Sequence, residues 1–175
     1  MIKSILSQLP HTRLTLSAKT TLLHEGSIST KIYLIESGCI RLWFNNDGKD
    51  VTLQFFMQGQ VVSSFESFIN NQPSRFTLET VLPSEVIVYE KRDFDHFIES
   101  NDQLYGKFST AAFDIASKYV SLFLSRITDS PQQRYEKFLS EHPDIVAQIP
   151  QHYIATFLGI TPVSLSRIRA RLLKS

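Results

Sequence analysis

Apolar and polar positions alternate through the first hundred residues and then change to helical spacing. Ile40, Leu42 and Phe44 alternate with their neighbours, as do Val51, Leu53 and Phe55. A period of two predicts a pair of half-buried strands. Between them Asn45-Asn46-Asp47-Gly48 predicts a hairpin, because Asp-Gly tolerates the left-handed backbone that a tight turn needs. Tyr33-Leu34-Ile35 and Val86-Ile87-Val88-Tyr89 read as apolar strands. Gly26, Gly38, Gly48 and Gly59 recur every 10 to 12 residues, each followed by strand-like sequence. That rhythm predicts a sandwich or barrel with regular turns.

Lys91 to Glu99 is a short amphipathic helix candidate, and a longer helix is predicted from about 101 to 127. Its apolar positions Leu104, Phe108, Ala111, Ile115, Tyr119 and Leu122 step by four, three, four, four and three. This approaches the seven-residue repeat of a two-stranded coiled coil. Ala112, Ala116, Val120 and Phe123 widen the apolar face. The helix can therefore lie across the β-rich part, pair with a second copy, or do each with a different face. Ser130 and Pro131 form an N-cap and first helical position that restart the chain as a helix to Ser140. Thr128-Asp129-Ser130 is the candidate hinge.

The last 27 residues, from Ile149 to Ser175, predict a short helix, a glycine turn and a second helix. Pro150 is placed at the first helical position, and Thr161-Pro162 gives the second cap. Gly159 supplies the left-handed turn residue. Ile154, Leu158, Ile160, Leu165 and Ile168 fall on the faces such a pair would bury. The order Ala155, Gly159, Leu165, Ile168 resembles the helix-turn-helix of bacterial regulators.

Charge sharpens this reading. The chain is +1 overall, yet no acidic residue follows Asp144, while Arg167, Arg169, Arg171 and Lys174 fall in the last nine positions. The remainder holds 14 Lys and Arg against 17 Asp and Glu. A basic second helix beside an acidic body is the footprint of a groove-reading element. The alternative is a solvated helix whose arginines only complement the helix dipole. One cysteine, Cys39, excludes an internal disulfide and a multi-cysteine metal site, and it reads as a buried strand residue. No apolar segment is long enough to span a bilayer, and residues 1–9 are too short and polar for a signal peptide. A cytoplasmic location without membrane contact is expected.

Leu23-His24-Glu25-Gly26, Tyr33-Leu34-Ile35-Glu36-Ser37-Gly38, Gly59-Gln60 and the terminal helix pair occur in an order and spacing that resemble the Crp/Fnr transcription regulators. The likeness covers nearly the whole chain. It implies an α+β fold: an N-terminal cyclic-nucleotide-binding-like β-roll (jelly roll), a long dimerisation helix and a C-terminal helix-turn-helix domain. The implied domains are 1–127, with the long helix at about 101–127, and 128–175. It further implies a homodimer, double-stranded DNA as partner, RNA polymerase as a further partner, and a small-molecule effector or none.

Members that bind cyclic nucleotides carry Gly-Glu-Leu and a downstream Arg-Ser-Ala. Here Ser63 and Ser64 stand in place of the glycine and glutamate, with Phe65 next and Glu66 two residues late. Ser74 precedes Arg75, which is one residue out of register, and Phe76 replaces a small residue. A phosphate needs a positioned guanidinium or exposed backbone amides, and Phe76 crowds that approach. Ser63, Ser64, Phe65, Glu66, Ser74 and Arg75 remain the candidate effector pocket, with cyclic AMP not expected as ligand. A one-residue bulge would restore Arg75; otherwise Arg75 and Glu66 are expected to form a surface or cross-strand ion pair. No cofactor is implied: the five histidines lack ligand-like spacing, and no metal site is expected. No catalytic residues are read either, since neither a Ser-His-Asp set nor a paired-carboxylate cluster occurs.

On the family's motif, Pro162, Val163, Ser164, Ser166 and Arg167 match the base-reading surface. Arg167 is the expected bidentate guanine contact and Val163 a thymine-methyl contact. Thr161, Arg169 and Arg171 are expected on phosphate, with Gln151 and His152 fixing the backbone approach. Relatives continue into a β-hairpin wing, whereas this sequence stops at Ser175. The grip is thus expected to rest on the second helix and twofold symmetry, with strong salt dependence. The competing reading is a ligand-binding or protein-interaction module whose helical tail docks a protein.

Overall fold

Two four-stranded antiparallel sheets carry a trailing set of helices in the computed structural model, which describes residues 2–100 and 102–173. Asn101, Lys174 and Ser175 lie outside the described residues, as do the side chains of Leu104 and Ala111. The chain begins α1 (Ile2–Leu6), β1 (Thr12–Leu16), β2 (Thr21–Leu23), β3 (Lys31–Ser37), β4 (Cys39–Asn46) and β5 (Lys49–Met57). It continues β6 (Val61–Val62), α2 (Phe65–Asn70), β7 (Thr77–Thr80) and β8 (Ser84–Glu90). Then come α3 (Lys91–Glu99), α4 (Asp102–Thr128), α5 (Pro131–Glu141), α6 (Pro143–Val146), α7 (Gln151–Leu158) and α8 (Pro162–Leu172). The sheets run β1-β8-β3-β6 and β2-β7-β4-β5.

The expected hairpin is present. Asp47 (φ 51°) and Gly48 (φ 81°) make a two-residue turn between the paired Asn46 and Lys49. Asn45 Oδ1 accepts the Gly48 N–H at 2.7 Å. At Gly38 (φ 89°) a side chain is excluded outright, because a Cβ would collide with Ser84 Oγ and the Pro83 carbonyl.

The alternation expected in β5 breaks. A bulge between Leu42 and Trp43 pairs Leu42 with Gln54 but Trp43 with Thr52, leaving Leu53 as the extra residue. An extra residue flips every later side chain to the other face. Phe56 therefore joins Ile40 and Leu42 between the sheets, while Phe55 and Met57 face the C-terminal helices.

Along α4, Phe108, Ile115 and Leu122 are half-buried, and the Phe108 ring meets Phe94 edge-on at 5.2 Å. A second stripe of Phe113, Val120, Phe123, Leu124 and Ile127 is more than half exposed. The sequence stripe thus divides between two faces. Residues near Leu122 cover the roll, whereas Phe113, Val120 and Ile127 belong to the open side.

Local cap chemistry sets the remaining helix ends. Ser130 Oγ accepts the Gln133 N–H, and Gln133 returns its side-chain oxygen to the Ser130 N–H at 2.8 Å, closing a capping box. Pro150 is the N-cap of α7 rather than its first helical residue. Gly159 (φ 70°) ends α7; its N–H reaches Thr156 O and the Ile160 N–H reaches Ala155 O, each at 3.0 Å. These are the two bonds of a Schellman close. Thr161 then caps α8 through the Ser164 N–H at 3.2 Å.

One apolar cluster fills the space between the sheets, and another joins α1, α2 and α3 to β8. The third crosses from Cys39, Phe55, Met57 and Val81 to Tyr135, Phe138, Ile154, Leu158, Leu165 and Ile168 on α5, α7 and α8. Ile154, Leu158 and Leu165 are fully buried there, each contributing roughly 1.5–3 kcal/mol of transfer free energy. Cys39 lies buried as expected, and burial pushes its thiol up to about 12.

Candidate functional site

A cavity of about 450 Å³ lies between the roll and α4. Leu42, Leu53 and Phe76 form its sheet wall, and Ser63, Ser64, Phe65 and Glu66 its α2 wall. Tyr119, Leu122, Phe123 and Arg126 close it from α4. Four of the six effector residues expected from sequence therefore meet at one cavity, while Ser74 and Arg75 do not line it.

The serines are spent on the roll itself. Ser63 Oγ donates to the Lys31 carbonyl at 2.9 Å and lies 3.0 Å from Ser29 Oγ. Ser74 Oγ lies 2.8 Å from both Ser64 Oγ and the Phe76 carbonyl, and accepts the Phe76 N–H. Arg75 turns outward instead, with Nη2 at 2.7 and 2.9 Å from the two Glu66 oxygens. Both side chains are exposed, so this surface pair is worth about 0–1 kcal/mol. It is the pairing the sequence suggested for these two residues. Phe76 occupies the wall and meets Phe44 edge-on at 6.5 Å.

The cavity's cation is one the sequence did not flag. Arg126 Nη2 donates to the Leu53 and Phe157 carbonyls, each at 3.2 Å. Burial, and then the neighbouring Arg134 charge, hold this guanidinium below its ordinary pKa. The Tyr119 hydroxyl is pushed up by burial.

A second candidate surface lies on α8. Burial of Leu165 and Ile168 fixes the rotation of the helix, so Val163, Ser166 and Arg167 are exposed on the opposite side. Ser164 is half-buried, and its hydroxyl sits 3.0 Å from Thr161 Oγ1, which ties it to the cap. Arg169 is half-buried on one flank, while Arg171, Thr161 and Pro162 are exposed. Among the described residues, none of Arg167, Arg169 and Arg171 joins an ion pair. Gln151 and His152 are exposed at the start of α7.

Two further arginines, both missed from sequence, join these regions. Arg41 on β4 donates to Glu79 Oε1 at 2.9 and 3.1 Å and to Asp50 Oδ2 at 3.1 Å. Its guanidinium lies 3.7 Å from the centre of the Tyr153 ring on α7 and 4.6 Å from Trp43. The Thr52 N–H donates to Thr156 Oγ1 at 3.2 Å beside it. Arg134 donates to the carbonyls of Asp129, at the end of α4, and of Leu158, at the end of α7. For Arg41 a signal did exist: Trp43 and Phe55 share its supposedly wet strand face. Arg134 had none.

The antiparallel roll, the short helix beside its cavity and the long covering helix together define a β-roll domain of the cyclic-nucleotide-binding type. The family model for the cyclic nucleotide-binding domain matches residues 13–101, and the chain belongs to that family. No curated protein sequence matches the chain. Among solved structures it is similar to FixK2 from Bradyrhizobium japonicum, at 18% identity and TM-score 0.80, covering 95% of this chain and 86% of that one. It is also similar to a putative crp/fnr-family transcriptional regulator from Eubacterium rectale, at 16% identity and TM-score 0.76, covering 98% and 82%. A third is CLP of Xanthomonas campestris, a c-di-GMP responsive global regulator, at 15% identity and TM-score 0.71, covering 99% and 90%. The fold is thus that of the Crp/Fnr-like regulators. No described helix is long and apolar enough to cross a membrane.

Proposed function

We propose that this chain is a homodimeric, sequence-specific DNA-binding transcription regulator. Residues 1–127 serve as sensor and dimerisation unit, and residues 128–175 as a helix-turn-helix reader. The observation that carries the reading is the outward face of α8: Val163, Ser166 and Arg167 exposed together, with the helix's arginines free of ion pairs among the described residues. On this reading Arg167 takes guanine O6 and N7, a contact worth roughly 1–3 kcal/mol of discrimination. Val163 meets a thymine methyl. Thr161, Arg169, Arg171 and Gln151 hold phosphates, and Ser164 acts through the cap rather than on a base.

The exposed residues Phe113, Val120 and Ile127 are spaced at seven-residue intervals, which suits pairing with a second copy through α4. The sensor cavity has an apolar wall, and its Arg75 is engaged by Glu66. Its effector is therefore a small molecule other than cyclic AMP.

Selection of bound duplexes from a genomic fragment pool tests the assignment. Wild-type protein should enrich a twofold-related motif, and Arg167→Ala should lose discrimination at one base pair in each half-site. Unchanged enrichment by the variant would remove DNA reading from α8 and favour a protein-docking tail.

A further inference from the structure

A second cavity, of about 460 Å³, opens on the other side of Leu122 and Arg126. It is bounded by β5, α4, α5 and α7, so it sits where the roll, the long helix and the terminal helices meet. Its floor is aromatic: the rings of Phe55, Phe138 and Phe157 lie between 5.1 and 5.6 Å apart. Its rim is cationic. Lys118, Arg126, Arg134 and Lys137 line it, against the single carboxylate of Glu141. Among the described residues, none of these four cations is in an ion pair.

A buried donor without a hydrogen-bond partner also belongs to a lining residue, Arg134 Nε. Buried polar atoms are costly when unpaired, and like charges in a partly desolvated space repel. Burial, and then the neighbouring Arg134 charge, hold the Arg126 guanidinium below its ordinary pKa, the direction such repulsion would give. An anion seated here would relieve the repulsion. A bare inorganic anion would leave the aromatic floor unused, and a neutral apolar molecule would leave the rim unpaired.

We propose that this cavity is a binding site for a small organic anion with a ring-sized apolar body. The charged group meets the rim of Lys118, Arg126, Arg134 and Lys137, and the body lies on Phe55, Phe138 and Phe157. Such a ligand touches α4, α5 and α7 at once, so its occupancy biases how the helices preceding α8 sit against the roll. The site is distinct from the cavity beside α2 and does not depend on the DNA-reading assignment.

The full chain is titrated with 8-anilinonaphthalene-1-sulfonate, followed by its fluorescence. N-phenyl-1-naphthylamine, the same rings without the sulfonate, is titrated in parallel. One saturable site is expected, with the sulfonate preferred by about tenfold or more, as charge-assisted contacts imply. The double variant Lys118→Gln with Lys137→Gln removes two of the four rim cations and should cut that preference severalfold while leaving the neutral dye's affinity unchanged. Ser121→Phe, which fills this cavity and leaves the α2 cavity alone, should abolish binding of both dyes. All three side chains are exposed on α4 or α5, and a retained thermal midpoint confirms the fold. Equal affinity for the two dyes would overturn the proposal. A preference undiminished by the lysine replacements, or binding that survives Ser121→Phe, would overturn it too. No DNA is present, so failure here is distinguishable from failure of the α8 reading.

Discussion

Replacing Arg41 with methionine interrogates the tie between the roll and α7. The guanidinium is 1% exposed, makes two bonds to Glu79 and one to Asp50, and lies against the Tyr153 ring. Methionine fills much of the same volume but leaves Glu79, whose side chain is 14% exposed, without its counter-charge. Removing one partner of a buried ion pair costs about 3–5 kcal/mol. Two features pull this case to the lower end: Asp50 is 44% exposed, and Arg41 Nη1 has no partner to lose. The lost cation–π contact, about 1 kcal/mol, is contained in that figure. A loss of about 3 kcal/mol at about 2–4 °C per kcal/mol lowers the melting midpoint by about 6–12 °C. Thermal denaturation followed by far-ultraviolet circular dichroism reads it. Tyr153→Leu, alone and combined, completes a double-mutant cycle with an expected coupling of about 1 kcal/mol. A midpoint drop below about 2 °C, or strict additivity of the two substitutions, would refute the reasoning.

On the proposed pairing through α4, Val120→Glu places a charge on the open stripe and should make the protein monomeric in analytical ultracentrifugation while preserving the fold; a wild-type monomer, or a dimer unchanged by the substitution, would refute that pairing. Calorimetry with cyclic AMP should show no saturable heat, since Arg75 is held by Glu66 and Phe76 fills the wall. Hydrogen bonds from Ser125, then Thr128, hold the Asp129 carboxyl below its ordinary pKa. A folded-state pKa depressed in this way contributes stability above the unfolded value, and that contribution is lost as pH falls through the carboxylate range. Asp129→Asn should therefore flatten the acid limb of the stability curve, and an unaltered acid limb would count against it.

The parts of this fold legible in the sequence are those decided within four residues. Asp47-Gly48, the Ser130 cap, Gly159 and Thr161 each satisfy local N–H groups or a required positive φ, so residue type alone reveals them. The register shift at Leu53 left no trace, because Phe55, Phe56 and Met57 are all apolar and any of them suits either face. The same limit applies to α4: periodicity showed apolar stripes, but only packing shows that Leu122 meets the roll while Val120 faces outward. At the candidate sites, the misplaced Arg75 and the bulky Phe76 were readable against the family's motif. Arg126 and Arg134 were not, since they act on groups distant in sequence, Leu53 and Leu158; for Arg41 the aromatic neighbours signalled burial but not its partner Glu79.

The cluster shared by β4, β5, α5, α7 and α8 bears on how this protein comes apart. Severing the chain after Thr128 would leave Phe55, Met57 and Val81 bare on one piece, and Tyr135, Phe138 and Ile154 bare on the other. The roll would keep the core between its sheets, but the shared cluster would lie open on both pieces, so melting of the C-terminal helices should be coupled to that of β4 and β5. Whatever loosens the outer face of β5 should loosen the seat of α8 with it, because Phe55 and Met57 share one cluster with Leu165 and Ile168.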